Sequence, residues 1–204
     1  MKTPVRLHWM LLLVVLLAVT MGLAACGKSV SRRQASEAID LSGRWNDVDS
    51  QQVSQAMIQD ALSFGWIEEY QRGKGRKPVV MAYGVKNRST EHINTQTFMK
   101  DLERAFLRSA RVSVVADSEQ RLTTREERAE QQQGLTGNPA RIGKELGADF
   151  VLTGVLNSIV DQEGGEAVVF YQANLELINV ETNEKVWIGD HKIKKFIEKS
   201  KLKL

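Results

Sequence analysis

One cysteine carries most of the chemistry this sequence offers. Leu23-Ala24-Ala25-Cys26 ends an apolar run, Met10 to Leu23, that follows a basic lead of Lys2 and Arg6. Charged n-region, short apolar h-region and small residues at the cut form a signal-peptide layout. A leucine three residues before a lone cysteine, with small residues between, is the lipobox of bacterial lipoproteins. The chemistry it implies is lipid transfer: the Cys26 thiol takes S-diacylglycerol as a thioether, the chain is cut before it, and the new amine takes an N-palmitoyl group. The apolar run is shorter than the ~20 residues of a bilayer-spanning helix, so an anchor of lipid fits better than an anchor of peptide. One acyl chain binds a membrane only marginally, at ~0.8 kcal/mol per buried methylene, whereas several chains together hold permanently. Gly27 stands where inner-membrane retention usually has aspartate, which directs the expectation to the periplasmic face of an outer membrane.

Other chemistry-bearing residues are sparse. His8 leaves with the signal, and His92 and His191 stand alone in polar settings, without HExxH or CxxC spacing. No GxSxG is present. Glu68-Glu69 and Glu126-Glu127 are adjacent, so on a helix the members of each pair face different directions. The glycines of Arg72–Pro78 lack the GxxxxGK[ST] pattern of a phosphate loop. The expectation is a non-catalytic protein with no cofactor, no metal and no small-molecule substrate.

Composition narrows the partner. Removing residues 1–25 from a chain of 204 leaves a length typical of one domain. The formal charge of +3 falls to about +1 once Lys2 and Arg6 are gone, so a nucleic-acid partner is not expected. With Cys26 acylated no disulfide can form, and the domain must rest on its core.

The elements that would position these residues follow in order. Gly27 to Asp40 is polar and reads as a flexible tether reaching at most ~46–50 Å, so the expected organisation is signal 1–25, lipidated Cys26 and tether 26–40, and folded domain 41–204. Asp49 is the expected N-cap of a first helix, with Val53, Ala56, Met57, Ala61 and Phe64 along one stripe. Gly65 can end that helix or only kink it, since Trp66–Tyr70 could continue it. Val79–Val85 is a near-continuous apolar run, predicting a strand buried on both sides or nearly so. Asn94 or Thr95 caps a helix carrying Phe98, Leu102 and Phe106 to about Ser109. Val112–Ala116 is a short strand, and Ser118–Gln133 a solvated helix ended by Gly134. Asn138-Pro139 signals a further helix, with Ile142 and Leu146 inward and Gly147 closing it. Phe150–Val160, Val168–Val180 and Lys185–Ile197 form a meander, its first turn at Asp161–Glu166 with Gly164-Gly165 supplying positive φ if needed. In the second of these strands Tyr171, Ala173, Leu175 and Leu177 point one way and Gln172, Asn174 and Glu176 the other. Lys192, Lys194, Lys195, Lys199, Lys201 and Lys203 at the end are expected to guard an edge strand against aggregation. The fold expected is a single α+β domain with a small, mostly antiparallel sheet of four to five strands and helices on one face.

Three stretches, Lys77–Ser109, Leu146–Glu166 and Val168–Gly189, resemble the LpoB family of outer-membrane lipoproteins, which activate class A penicillin-binding proteins. The resemblance rests on a strand ending in Asn87-Arg88-Ser89-Thr90 before a helix and on Leu146-Gly147-Ala148-Asp149 before a strand. The third piece is an amphipathic strand, a Thr182-Asn183-Glu184 turn and a Val186-Trp187 strand. It covers about Leu41 to Lys195 and implies a small antiparallel sheet flanked by helices. It further implies a regulator that binds a bifunctional peptidoglycan synthase and raises glycan polymerisation and crosslinking. No synthase-contacting residue can be carried over. Better-known members have a long, Pro-rich tether; Gly27–Asp40 is short and has no proline. The domain also resembles that of the curli-export lipoprotein, which would make this a structural or secretion-related protein, but no pair of barrel-forming segments is present.

Overall fold

The computed structural model describes residues 30–34 and 37–198, so Cys26, the signal, tether residues 27–29, 35 and 36, and Lys199, Lys201 and Lys203 lie outside the described residues. The chain divides into two units, Met1–Glu37 and Ala38–Leu204. In the first, Arg33 and Glu37 form an ion pair at 3.6 Å.

The second unit is α+β. Its elements run α1 (Asp47–Ser63), α2 (Trp66–Lys74), β1 (Val79–Arg88), α3 (Gln96–Ser109), β2 (Ser113–Val115), α4 (Ser118–Glu130), β3 (Phe150–Glu163), β4 (Glu166–Asn179) and β5 (Lys185–Glu198). The five strands form one sheet in the order β2-β1-β3-β4-β5. β1 pairs in parallel with β2 and β3, while β3–β4 and β4–β5 are antiparallel and carry most of the paired length.

Local chemistry explains where most elements begin and end. α1 starts at Asn46, whose side chain accepts from Asp49 N–H while the Asp49 carboxylate accepts from Asn46 N–H. This reciprocal box corrects the expectation of Asp49 as N-cap: Asp49 is the box's third helical residue, and the true cap lies three residues earlier. Gly65, at φ 87°, ends α1 and opens α2, a conformation that a side chain resists. The strand expected over Val79–Val85 runs on to Arg88, and it is not buried on both sides throughout: a bulge between Ala82 and Gly84 turns Tyr83 out to solvent. α3 buries Phe98, Met99, Leu102 and Phe106, as its spacing requires. The β3–β4 turn is the two-residue Gly164-Gly165, with φ of 58° and 96°.

The helix expected over Asn138–Gly147 is absent. Those residues are irregular, and Ile142 and Leu146 are 73% and 61% exposed. An N-cap and a Pro at the first position only initiate; Gly143, at φ 75°, interrupts the turn, and the described residues leave Ile142 and Leu146 largely exposed.

α1, α2 and α3 cover one face of the sheet. Its inward side chains, Phe150, Leu152, Leu156, Tyr171, Ala173, Leu175, Leu177 and Trp187, join Val53, Met57, Trp66, Phe98, Leu102 and Phe106 in one core. Trp66 and Tyr70 meet Phe150 edge-on at 5.3 and 5.2 Å between centroids. Trp187 Nε1 donates to Asp60 of α1 at 2.7 Å. Gly189 lets Trp187 and Met57 close over β5, since a Cβ there would sit 2.3 Å from the Trp187 ring.

Candidate functional site

Two features of the folded unit bear on partner contact: the place where the N-terminal segment enters, and the sheet face that no helix among the described residues covers.

The entry is fixed by a desolvated ion pair. β5 alternates, so Ile193, Lys195 and Ile197 point inward with Trp187, while Lys192, Lys194 and Phe196 point out. Lys195 is therefore no edge guard: its side chain is 12% exposed and its Nζ lies 2.6 Å from Asp49 Oδ2, on a carboxylate just 5% exposed. The same ammonium reaches Asp40 Oδ1 at 3.1 Å and donates to the Arg44 carbonyl at 3.0 Å. Burial alone would depress this lysine, but Asp49 and Asp40 outweigh it and hold its pKa above the ordinary value. Asn46 Nδ2 also donates to Asp40. Lys192 and Lys194 do face solvent.

Around this clamp the 43–47 segment is stitched to the sheet. Trp45 stacks edge-on against Tyr171 at 5.3 Å, and its indole donates to Ser50 Oγ at 2.8 Å. Tyr171 O–H donates to Glu91 Oε1 at 2.5 Å, and Glu91 Oε2 accepts from Trp45 N–H at 3.1 Å. Burial first, then the neighbouring Glu91 carboxylate, push the Tyr171 phenol well above its ordinary pKa. A groove of about 790 Å³ opens beside these residues, between Trp45, the Thr90–Asn94 loop and the β3–β4 hairpin.

The opposite sheet face is left open by the described residues. Register places Ile159, Phe170 and Lys194 in one row across β3, β4 and β5; Asn157, Gln172 and Lys192 in the next; then Val155, Asn174 and Asp190; then Thr153, Glu176 and Ile188. The alternation read from β4 thus holds, with Gln172, Asn174 and Glu176 on this outer side. Its middle is polar: Glu176–Lys185 and Asp190–Lys192 pair at 2.8 Å, and Gln172 donates to Asn174 at 3.1 Å. Its hairpin end is apolar, with Ile159 and Phe196 65% and 62% exposed and Val168 opposite Phe196. Exposed aromatic and aliphatic side chains beside a polar area are the makings of a protein interface.

The residues weighed for catalysis are not gathered. His92 lies exposed on the rim of the Trp45 groove, and His191 is half-buried on β5. Glu68 pairs with Arg111. Among the described residues no three His, Cys, Asp or Glu side chains converge as a metal site, and no helix is long and apolar enough to cross a membrane.

Sequence reasoning missed three polar clusters: the Lys195 clamp, the Tyr171–Glu91 pair and a staple at Asp149. The Asp149 carboxylate accepts two bonds from Arg76, at 2.8 and 2.7 Å, and one from Val79 N–H at 2.8 Å. Its backbone bonds Val79 O and Val180 N–H, tying the starts of β1 and β3 to the end of β4. Period-two counting along Ile193–Ile197 was the available signal for Lys195; nothing local marks the other two.

Comparison with known proteins adds a family match. Residues 49–193 fit the family described as peptidoglycan-synthase activator LpoB. No curated protein matches. Among solved structures, the LpoB C-terminal domain from Salmonella enterica is similar at 19% identity, over 69% of this chain and 98% of that one, with a TM-score of 0.34. The LpoB C-terminal domain from Escherichia coli is similar at 16% identity, over 72% and 99%, with a TM-score of 0.37. Lipoprotein GNA1162 from Neisseria meningitidis is similar at 16% identity, over 61% and 88%, with a TM-score of 0.37.

Proposed function

Because this chain belongs to the LpoB family of peptidoglycan-synthase activators, we propose that it is a lipid-anchored, non-catalytic activator of a class A penicillin-binding protein. The family match over residues 49–193 carries this reading. The open face of β3, β4 and β5 supports it, because a regulator that makes and breaks no bonds must offer a surface instead. Cys26, bearing S-diacylglycerol and N-palmitate, holds the domain to the periplasmic face of the outer membrane, and the residues up to Asp40 set its reach.

Activation then works by differential binding. A surface that binds the active synthase conformation more tightly than the inactive one shifts the population toward the active form. A tenfold shift needs about 1.4 kcal/mol of difference between the two affinities, which a few well-packed side chains such as Phe196 and Ile159 can supply.

The test uses the full lipidated chain and the purified class A penicillin-binding protein of the same cell. Binding and a several-fold rise in glycan polymerisation and crosslinking are expected. No binding and unchanged turnover sinks the proposal. Cys26→Ala is expected to leave the purified effect intact while releasing the protein from the membrane fraction.

A further inference from the structure

Residues 117–147, between β2 and β3, form an arm that the core does not use. α4 buries none of its residues. It starts on a capping box, the Asp117 carboxylate accepting from Gln120 N–H while Gln120 returns the bond to Asp117 N–H. The chain comes back through Gly134 at φ 83° and a loop held by Gln131 and Gln132 to Ala140. Arg121, Arg125 and Arg128 recur at i, i+4 and i+7, which is one stripe of a helix. All three converge on one carboxylate, Glu145. Arg125 grips it with two bonds at 3.1 and 2.9 Å, and Arg121 and Arg128 stand at 3.6 and 3.5 Å. Arg121 Nη2 is buried and has no acceptor.

One carboxylate does not satisfy three guanidiniums. Two positive charges remain in excess, and a buried donor is left unpaired, a costly arrangement in a protein built for stability alone. Glu119, Glu126 and Glu130 fall on the opposite side of α4 by the same periodicity, so the arm's field is two-sided. On the same arm Leu122 is 59% and Leu135 84% exposed, and Ile142 and Leu146 are exposed on the returning loop.

We propose that the Arg121–Arg125–Arg128 stripe is a second docking surface, for a segment of the partner synthase that carries carboxylates among aliphatic side chains, and that Glu145 holds the partner's place in the free protein. This rests on the functional reading above. Charge complementarity selects an acidic occupant. The exposed aliphatic residues of the arm select a polypeptide, because a nucleic acid or a polyanionic surface would gain nothing from them.

Binding of the purified synthase to the full chain, measured across a salt series, tests it. Arg125→Gln/Arg128→Gln is expected to weaken binding about tenfold and to flatten its salt dependence. Glu145→Gln is expected to tighten binding, since it frees the stripe; a purely structural knot would give the reverse. Urea midpoints check that both variants fold. Binding by Arg125→Gln/Arg128→Gln within about twofold of the parent with the same salt dependence, or weaker binding by Glu145→Gln, overturns the inference. Phe196→Asp separates the two surfaces: loss of binding there, with the arginine variant unaffected, leaves the functional reading standing and removes the arm from it. A parent chain that does not bind at all removes both.

Discussion

Replacing Lys195 by methionine isolates the clamp at the root of the N-terminal segment. Methionine keeps much of the buried aliphatic stem and removes the ammonium. What remains is the Asp49 carboxylate, 5% exposed, without the cation now 2.6 Å away. Removing one member of a buried pair costs about 3–5 kcal/mol, because the other is left as an uncompensated charge. Asp49 still accepts from Asn46 N–H at 2.8 Å, so the lower end, about 3 kcal/mol, is expected. The exposed Asp40 arm adds little. With a urea slope of about 2 kcal/mol/M, the unfolding midpoint falls by about 1.5 M. Adding Asp49→Asn removes the orphan charge while keeping an acceptor for Asn46, and should recover most of the loss. The alkaline limb gives a second reading. Lys195 has a folded pKa above its unfolded value of 10.5, so its contribution is whole below that value and drains as pH rises through the folded one. Tyr171, also raised, drains in the same direction, so the limb becomes shallower in Lys195→Met without vanishing. A midpoint within about 0.3 M of the parent, or a double variant no better than the single, refutes the buried-charge reasoning.

Two further substitutions test the frame around the open face. Asp149→Ala strands the buried Val79 N–H and releases the half-exposed Arg76, which should cost about 2–3 kcal/mol by urea unfolding, against about 1 kcal/mol for Asp149→Asn. Burial alone would raise the Asp149 carboxyl, yet Arg76 and the Val79 N–H hold it below its ordinary 3.8; its contribution is therefore present above 3.8 and lost as pH falls through the lower folded value, an acid limb that Asp149→Asn should lack. Gly154→Ala places a Cβ 2.3 Å from the Asn174 carbonyl oxygen, which is backbone and cannot swing away, so a loss of about 2 kcal/mol or more is expected in thermal unfolding.

The readable parts of this fold were those written in short-range pattern. The i, i+4, i+8 spacing of Phe98, Leu102 and Phe106 located both a helix and its buried face, and all three are at most 2% exposed. Alternation along β4 separated core from open surface residue by residue, because a strand has only two sides. Asn138-Pro139 misled for the complementary reason. A start signal is local, but a short helix persists only where an apolar stripe has something to lie on, and Ile142 and Leu146 are left exposed by the described residues. The polar clusters were invisible for want of range: Lys195 and Asp49 lie 146 positions apart, and Arg76 and Asp149 are separated by 73. The motif Leu146-Gly147-Ala148-Asp149 was visible as a resemblance, yet only the folded structure gives its last residue a task, that of pinning β1, β3 and the end of β4 together.

β5 also accounts for how one thin sheet can be both moored and available. Its inward residues receive the N-terminal segment: Asp40 is bonded to Lys195, and Gly43 lies so close to Ile197 that a Cβ would come within 2.1 Å of it. Its outward residues, Lys192, Lys194 and Phe196, belong to the uncovered face. Period-two geometry thus assigns the two roles to opposite sides of one strand. A pull arriving through Asp40 is met first by a desolvated ion pair and by the Trp45–Tyr171–Glu91 stitching, and Asp40, Gly43 and Trp45 are bonded or packed on the inward side of the sheet. For the lipid-anchored activator proposed above, a load taken up at residues 40–45 would fall on the inward side of β5 and leave its outward residues free.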